Sequence, residues 1–289
     1  MRRALIFFIV LCFLPALPSW GADVLILQSS HNVGYSEVIS GFQIASHAQT
    51  TIVVLSDYTD TDVVSLVKDE QPSLILAVGD NAFAATRKIR NTPILAIMAL
   101  SFDTLRISKS NLIGISMFAP PERYIGVFQR LKVRRVGVVY NAAKSGWYLR
   151  QARKAAAQFG IELVVREVSS PRETLDQLSS MNGKVDALWM LPDSIAIIRE
   201  TTEAFFHFGQ KNNVPVIAFA NSYLGMGATV VLEVDRAALG RQAGAMAKAI
   251  LDGESVDETT YRYPSGIVLK VNQSVMNFLH LSLESSVDH

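Results

Sequence analysis

Short apolar runs alternate with amphipathic stretches along almost the whole chain, and this alternation restricts the fold more than any other feature of the sequence. The runs 24–27, 74–78 and 136–140 are apolar at nearly every position rather than at every second one. Such a strand must be covered on both faces, which is typical of a parallel sheet between two layers of helices. The repeated strand–helix order therefore predicts an α/β fold.

The strand–helix rhythm occurs twice, first over residues 23–98 and again over 111–220. The strands and helices that follow, over 229–271, are too few for a third domain, so we expect them to be shared between the two halves. A chain that leaves the first half, builds the second and returns must cross between them several times. The pattern predicts two α/β lobes built on parallel sheets and joined by a hinge of crossovers.

The N-terminus has the layout of an export signal. Arg2 and Arg3 precede the apolar run 4–17, and small residues suited to signal peptidase follow Pro18. The apolar run is short for a membrane span. We predict that residues 1–22 are a cleaved signal peptide and that the mature chain is periplasmic; an uncleaved N-terminal anchor is the alternative.

Cysteine content and charge restrict the disulfides and the binding partners that the mature chain can have. The only cysteine, Cys12, lies in the predicted signal, so no disulfide is expected. Without Arg2 and Arg3, the 27 basic residues become 25 against 26 acidic ones, a formal charge of −1. This balance gives no general attraction to nucleic acid or to an anionic membrane, so we expect a small or specific partner.

Sequence motifs of the common enzyme classes are absent. The chain has no G-x-S-x-G elbow, no H-E-x-x-H pair, no phosphate-binding loop and no cysteine nucleophile. Its five histidines are scattered without metal-ligand spacing. We therefore expect a protein that is not an enzyme, with no catalytic residue, no metal and no cofactor.

Three segments carry a resemblance to a known family. Residues 136–141 resemble the strand and loop that open the second lobe of type I periplasmic binding proteins. The stretch 183–193 contains G-K-V-D-A and then P-x-D, and residues 234–251 contain Val-Asp followed by L-G-R-Q-A-G. Together these segments resemble ABC-transporter substrate-binding proteins of the branch that includes tryptophan and other aromatic amino-acid binders. The likeness extends over about residues 24–271.

The resemblance implies two doubly wound parallel-sheet lobes joined by a three-crossover hinge. It also implies a ligand held between the lobes and delivery of that ligand to an ABC permease by a monomer. Lobe one would comprise 23–116 and 235–261, and lobe two 117–234 and 262–289. The ligand class implied is an amino acid or related carboxylate, with aromatic amino acids included. Two alternatives remain open at this point: presentation of the closed form to a membrane receptor kinase, and a ligand-free pair of lobes with a structural role.

Candidate ligand contacts follow from the rule that ligands of open parallel sheets bind beyond the carboxyl ends of the strands. Hydroxyl and amide groups in those loops suit a carboxylate, an acidic residue suits an ammonium group, and an aromatic ring suits an apolar side chain. The predicted ligand-binding residues are Ser29, Ser30, Asn81, Ser101, Asn141, Trp147, Asp193 and Asn221.

Asp193 is the predicted acceptor for an ammonium group, and Trp147 the predicted aromatic wall. Each has a structural alternative, because Asp193 stands where a helix is predicted to begin and Trp147 suits packing within its lobe. For Asp80 the sequence favours a helix cap. The loops 79–81 and 142–144 depart from the family pattern, so the identity of the ligand is not transferred from the tryptophan binders.

Overall fold

The computed structural model describes residues 23–59, 61–105, 109–254 and 261–283, and the predicted signal peptide lies outside these ranges. Two six-stranded sheets, each with helices on both faces, form two lobes. Each sheet has apolar clusters on both of its faces. The predicted fold class, two α/β lobes built on parallel sheets, is confirmed.

The sheet of lobe one is parallel throughout. Its central strands are fully buried, as their uninterrupted apolar runs require. The strands are β1 Val24–Gln28, β2 Thr50–Val54, β3 Leu74–Val78, β4 Ile94–Ile97, β5 Leu112–Ile115 and, from much later in the chain, β11 Tyr261–Arg262. Their order across the sheet is β11-β5-β4-β3-β1-β2.

The sheet of lobe two is parallel except for its last strand, which pairs antiparallel with its neighbour. The strands are β6 Arg135–Tyr140, β7 Glu162–Glu167, β8 Ala187–Trp189, β9 Val216–Ala218, β10 Val230–Val234 and β12 Ile267–Val271. Their order is β12-β10-β9-β8-β6-β7, with β12 at the antiparallel edge.

Helices fill the connections between the strands. They are α1 Val33–Ser46, α2 Val63–Glu70, α3 Asp80–Ala85, α4 Leu100–Leu105, α5 Pro121–Arg130, α6 Ala142–Gln158, α7 Pro171–Ser179, α8 Arg199–Asn212, α9 Arg236–Leu251 and α10 Gln273–Phe278. Short 3₁₀ turns occupy Leu55–Asp57, Thr86–Lys88 and Asn221–Met226.

The close approach of α9 to α1 shows where the chain returns to lobe one. A side chain at Gly240 would overlap the carbonyl oxygen of Val38, and one at Gly41 would come within 2.6 Å of the carbonyl oxygen of Ala237. These glycines allow the two helix backbones to touch. Although α9 follows a strand of lobe two, it is therefore packed into lobe one.

Within the described ranges, three segments cross between the lobes. The first joins β5 to α5, the second joins β10 to α9 at Asp235, and the third joins β11 to β12 over residues 263–266. Three parallel connections at one side leave the opposite side of the two lobes unconnected. This arrangement forms a hinge, and we expect the two lobes to move relative to each other about it.

Some short elements were not predicted from the sequence: α4, β11 and the 3₁₀ turn Asn221–Met226. Helix α8 was predicted from Ser194 but begins at Arg199, because residues 193–197 form a separate turn in which the Ile197 N–H donates to the Asp193 carbonyl. Such short pieces have too few residues for a reliable periodicity.

Candidate functional site

The carboxyl edges of both sheets face the space between the lobes. The first crossover leaves the carboxyl end of β5, and the third leaves β11, which runs parallel to β5. In lobe two, the start of β12 at Ile267 pairs with Val234 at the carboxyl end of β10, next to the second crossover. The loops beyond these strand ends therefore line one interlobe cleft, which is where open parallel sheets bind ligands.

Ser29 holds the first loops of lobe one together. Its hydroxyl donates to the Val78 carbonyl at 3.0 Å and accepts from the Ala82 N–H at 2.9 Å, and the side chain is buried. It therefore links the ends of β1 and β3 to the start of α3. Ser30, the next residue, is half-buried, and its carbonyl accepts from the Gln28 amide at 2.6 Å.

Tyr35 is not one of the predicted ligand-binding residues, although it lies on the same rim. Gly79, with φ of 91°, leaves room for the tyrosine ring: a Cβ at this glycine would stand 2.5 Å from the Tyr35 hydroxyl and 2.6 Å from Ser29 Oγ. Partial burial, and next the negative charge of Asp80, raise the pKa of the Tyr35 hydroxyl. Tyr35 therefore remains a neutral hydrogen-bonding group on this rim.

Asp80 and Ser101 form a pair at the carboxyl ends of β3 and β4. Asp80 Oδ1 accepts from the Ser101 N–H at 2.7 Å and from the Ser101 hydroxyl at 2.5 Å. Among the described residues no hydrogen bond involves Oδ2, and Asp80 and its neighbour Asn81 are exposed. Lobe one thus presents a carboxylate oxygen to the cleft, held in place through the other oxygen.

Asp193, the predicted ammonium acceptor, is buried, and its carboxylate already accepts hydrogen bonds from the protein itself. Its Oδ1 accepts from the N–H groups of Ile195 and Ala196, each at 2.9 Å. Its Oδ2 accepts from the Asn141 N–H at 2.7 Å and from the Ser145 hydroxyl at 2.5 Å. A carboxylate has about four acceptor positions, so these bonds leave Asp193 none for a ligand ammonium. It ties two loops of lobe two together, which corrects its predicted role.

Asn141 and Asn221, the two asparagines of lobe two that were predicted to bind the ligand, differ in the hydrogen bonds they make within the protein. Asn141 caps α6: its Oδ1 accepts from the Ala143 N–H at 3.1 Å, and its Nδ2 donates to the Val168 carbonyl at 2.8 Å. Asn221 is exposed at the start of its 3₁₀ turn, and its backbone N–H donates to Glu233 Oε1 over a long distance of 3.4 Å.

Trp147, the predicted aromatic wall, lies in the hinge. Only 7% of it is exposed, and its ring packs edge-on against Phe118, Tyr148 and Tyr261 at centroid distances of 5.2, 5.5 and 5.4 Å. Tyr261 in turn stacks on Phe102 of lobe one at 5.9 Å. The structure therefore places Trp147 in an aromatic contact between the lobes rather than on an exposed wall of the cleft.

A buried polar group accompanies these rings. Asp103 on α4 is fully buried, and its Oδ2 accepts from the Met117 N–H in the first crossover at 2.9 Å. Burial raises the pKa of the Tyr261 hydroxyl strongly, and the negative charge of Asp103 adds to the effect. Helix α4 also carries Ser101, which lies at the cleft. This short helix therefore connects the cleft to the first crossover through Asp103 and to the start of the third through the contact of Phe102 with Tyr261.

An ion-pair group near the second crossover was also missed. Arg236 on α9 donates to Glu37 of α1 at 3.1 Å and to Glu233 of β10 at 3.4 Å, and Lys270 donates to Glu233 at 2.8 Å. Arg236 therefore joins a carboxylate of each lobe. The position of Glu233 just before the predicted hinge was the available sequence signal.

Outside the cleft, lobe two has a cavity of about 670 Å³ between α8 and α10. It reaches Val216 and Thr229 at the amino ends of their strands, so it lies at the opposite end of the lobe from the cleft loops. No group of His, Cys, Asp or Glu side chains within the described ranges could hold a metal ion. Within those same ranges, no helix is both long and apolar enough to span a membrane.

Two α/β lobes on parallel sheets, joined by three crossovers around a polar cleft, define the type I periplasmic binding protein fold. The sequence profile of the family described as "ABC transporter substrate binding protein" matches residues 46–288. The chain therefore belongs to the ABC transporter substrate-binding protein family, which confirms the resemblance seen in its sequence.

Individual relatives are distant. A tyrosine-binding protein of Clostridioides difficile (strain R20291) is 22% identical over 234 residues, which cover 77% of this chain and 67% of that protein. The ligand-free, open structure of a Clostridium difficile substrate-binding protein with adhesive properties has a TM-score of 0.72, 20% identity and coverage of 92% and 97%. An ABC domain of Streptococcus pneumonia in complex with L-Trp has a TM-score of 0.62, 18% identity and coverage of 91% and 97%.

Proposed function

We propose that this protein captures a small zwitterion, an amino acid or a close analogue, between its lobes and delivers it to an ABC permease. The observation that carries the proposal is the hinged cleft whose rims present unoccupied polar groups at the carboxyl ends of both sheets. Relatives that bind tyrosine and L-Trp support an amino acid, and they make aromatic amino acids the first compounds to test. The role requires neither catalysis nor a cofactor.

The proposed ammonium acceptor is Asp80. A ligand ammonium needs a carboxylate oxygen that is not already bonded, and Asp80 Oδ2 meets this condition whereas Asp193 does not. The Ser101 bonds to Oδ1 hold the acceptor in one orientation, which reduces the entropy that a flexible side chain would lose on binding.

The ligand carboxylate would then lie toward lobe two, away from the negative charge of Asp80. On that side Asn221 offers an amide donor, and Asn141 has one amide N–H besides the one bonded to the Val168 carbonyl. On lobe one, Asn81 follows Asp80 directly, and Ser30 lies beyond the neighbouring strand β1. A ligand bonded to both rims stabilises the closed form, because the second set of bonds exists only when the lobes approach each other.

The cellular setting follows from the same proposal. Residues 1–22 would direct export and be removed, so the mature protein would act in the periplasm as a monomer. We divide the lobes at 116/117, 234/235 and 261/262, and the first two limits agree with the sheet to which each strand belongs. Arg262, which still pairs with Ile115 of β5, lies at the last of these limits.

A thermal-shift screen tests the proposal. The secreted protein would first be examined by mass spectrometry for a co-purifying compound, then stripped of it by unfolding and refolding, and screened against the common amino acids. A ligand bound only by the native state at about a hundred times its Kd adds about 2.7 kcal/mol of stability. A clear rise of Tm with one amino acid is the expected result. No co-purifying amino acid and no shift with any of them would contradict the proposal.

A further inference from the structure

The end of lobe one opposite the cleft holds a second pocket, of about 320 Å³, with a basic rim. Three cationic side chains, Arg87, Arg90 and Lys109, surround an apolar floor. The other described residues that line the pocket are Phe83, Thr86, Ile94 and Leu112.

The strand directions place this pocket away from the solute site. Ile94 begins β4 and Leu112 begins β5, so both belong to the amino edge of a sheet whose carboxyl edge faces the cleft. Arg87 lies in the 3₁₀ turn Thr86–Lys88, after α3 has carried the chain back across the lobe. The pocket is therefore separate from Asp80 and Ser101.

Within the described part of the chain, the three cations have no anionic partner. Among the described residues, no ion pair or hydrogen bond joins Arg87, Arg90 or Lys109 to a carboxylate. The Lys109 ammonium instead donates to the carbonyls of Arg87 at 2.8 Å and Ile89 at 3.0 Å, which fixes its position. Burial, and next the positive charges of Arg90 and Arg87, lower the pKa of Lys109.

Like charges held close together around a pocket favour the binding of an anion of matching size, because the anion offsets their mutual repulsion. Guanidinium groups bind phosphate through paired N–H donors, and one ammonium hydrogen of Lys109 remains for a third contact. The mature chain as a whole has no excess of positive charge, so the attraction arises from this local arrangement alone.

We propose that the pocket formed by Arg87, Arg90 and Lys109 binds a phosphate group. Two sources carry this chemistry: free inorganic phosphate and the phosphodiester headgroup of an anionic lipid. Asp23 precedes β1 at the same edge of the sheet, so the predicted leader would join the lobe at this edge. Before its cleavage, such a leader would hold this end of the lobe near the membrane.

The test uses the secreted protein and two matched double variants. Arg87→Gln/Arg90→Gln removes two cations of the pocket. The control, Arg172→Gln/Lys184→Gln, removes two exposed cations of lobe two and changes the net charge by the same amount as the pocket variant. Calorimetric titration with inorganic phosphate at low and at 0.15 M salt, the latter giving a Debye length of about 8 Å, separates a built site from general attraction. Sedimentation with vesicles of phosphatidylcholine, with or without phosphatidylglycerol, tests the lipid source.

We expect saturable phosphate binding that persists at the higher salt, with affinity at least about tenfold weaker in the pocket variant and unchanged in the control variant. Binding to phosphatidylglycerol vesicles that phosphate displaces would identify a lipid headgroup, and phosphate binding without vesicle binding would identify the free ion. The proposal is overturned if wild-type protein binds neither probe, or if both variants lose binding equally. Thermal unfolding of each variant confirms that it is folded, and Arg90→Gln alone replaces the pair if the double variant is not.

Discussion

Asp80 and Asp193 occupy equivalent places in the two lobes, each shortly after a buried parallel strand, yet they have opposite roles. Asp193 is 2% exposed and accepts four hydrogen bonds from two loops. Asp80 is exposed and engages one oxygen with Ser101. Burial with full hydrogen bonding makes an aspartate a structural link, whereas exposure with a free oxygen makes it available to a ligand.

The largest effect is expected for Asp193→Ala. The substitution leaves the N–H groups of Asn141, Ile195 and Ala196 without their acceptor in a buried place, so we expect a loss of about 3 kcal/mol in the free energy of unfolding. Urea denaturation measures it, with exposed Asp69→Ala as the control. Full stability combined with lost ligand binding would show that the comparison of the two aspartates is wrong.

Asp80→Asn should act on binding instead. We expect an affinity for the amino-acid ligand about tenfold weaker, equivalent to about 1.4 kcal/mol, because an amide offers an ammonium no charge. The unfolding free energy should change by less than about 1 kcal/mol at this exposed site. Calorimetric titration of the ligand measures the affinity, and Asp69→Asn provides the same charge change on α2. Equal affinities of Asp80→Asn and wild type would rule out the proposed acceptor while leaving the solute-binding function intact.

Trp147→Phe separates the hinge from the cleft. The smaller ring loses part of its contacts with Phe118 and Tyr261, so we expect a loss of about 1 kcal/mol in stability. Affinity for the ligand should change less than in Asp80→Asn. Paired measurements of unfolding and binding test this, and a large loss of affinity with unchanged stability would restore Trp147 to the ligand wall.

The smallest effect concerns the ionisation of Tyr35. The pKa of Tyr35 is raised in the folded state, so the native protein favours the protonated hydroxyl. The protonated hydroxyl therefore contributes to stability below pH 10, and this contribution is lost as pH rises through the folded-state pKa. Asp80→Asn removes the second cause of the shift and should lower that pKa. Titration of tyrosinate absorbance, with Tyr35→Phe to identify the signal, measures the change. An identical titration of the two proteins would show that Asp80 and Tyr35 do not interact.

The strands were predictable wherever burial alone controls them. The limits of β3 agree with the apolar run 74–78 read in the sequence, and those of β1 and β6 differ from their runs by one residue. Prediction was weaker for α4 and for the start of α8. In both places a buried aspartate, Asp103 or Asp193, shapes the backbone through bonds to residues distant in sequence.

By itself, the sequence determined the two-lobed α/β architecture and the loops that line the cleft, because hydrophobic periodicity is a local property with a global consequence. Only the tertiary structure decided which polar side chain in those loops is free. The reason is physical: a carboxylate is available to a ligand or committed to the fold according to the N–H and O–H groups that neighbouring loops bring to it. For Asp193 one of those neighbours is Ser145, 48 residues away.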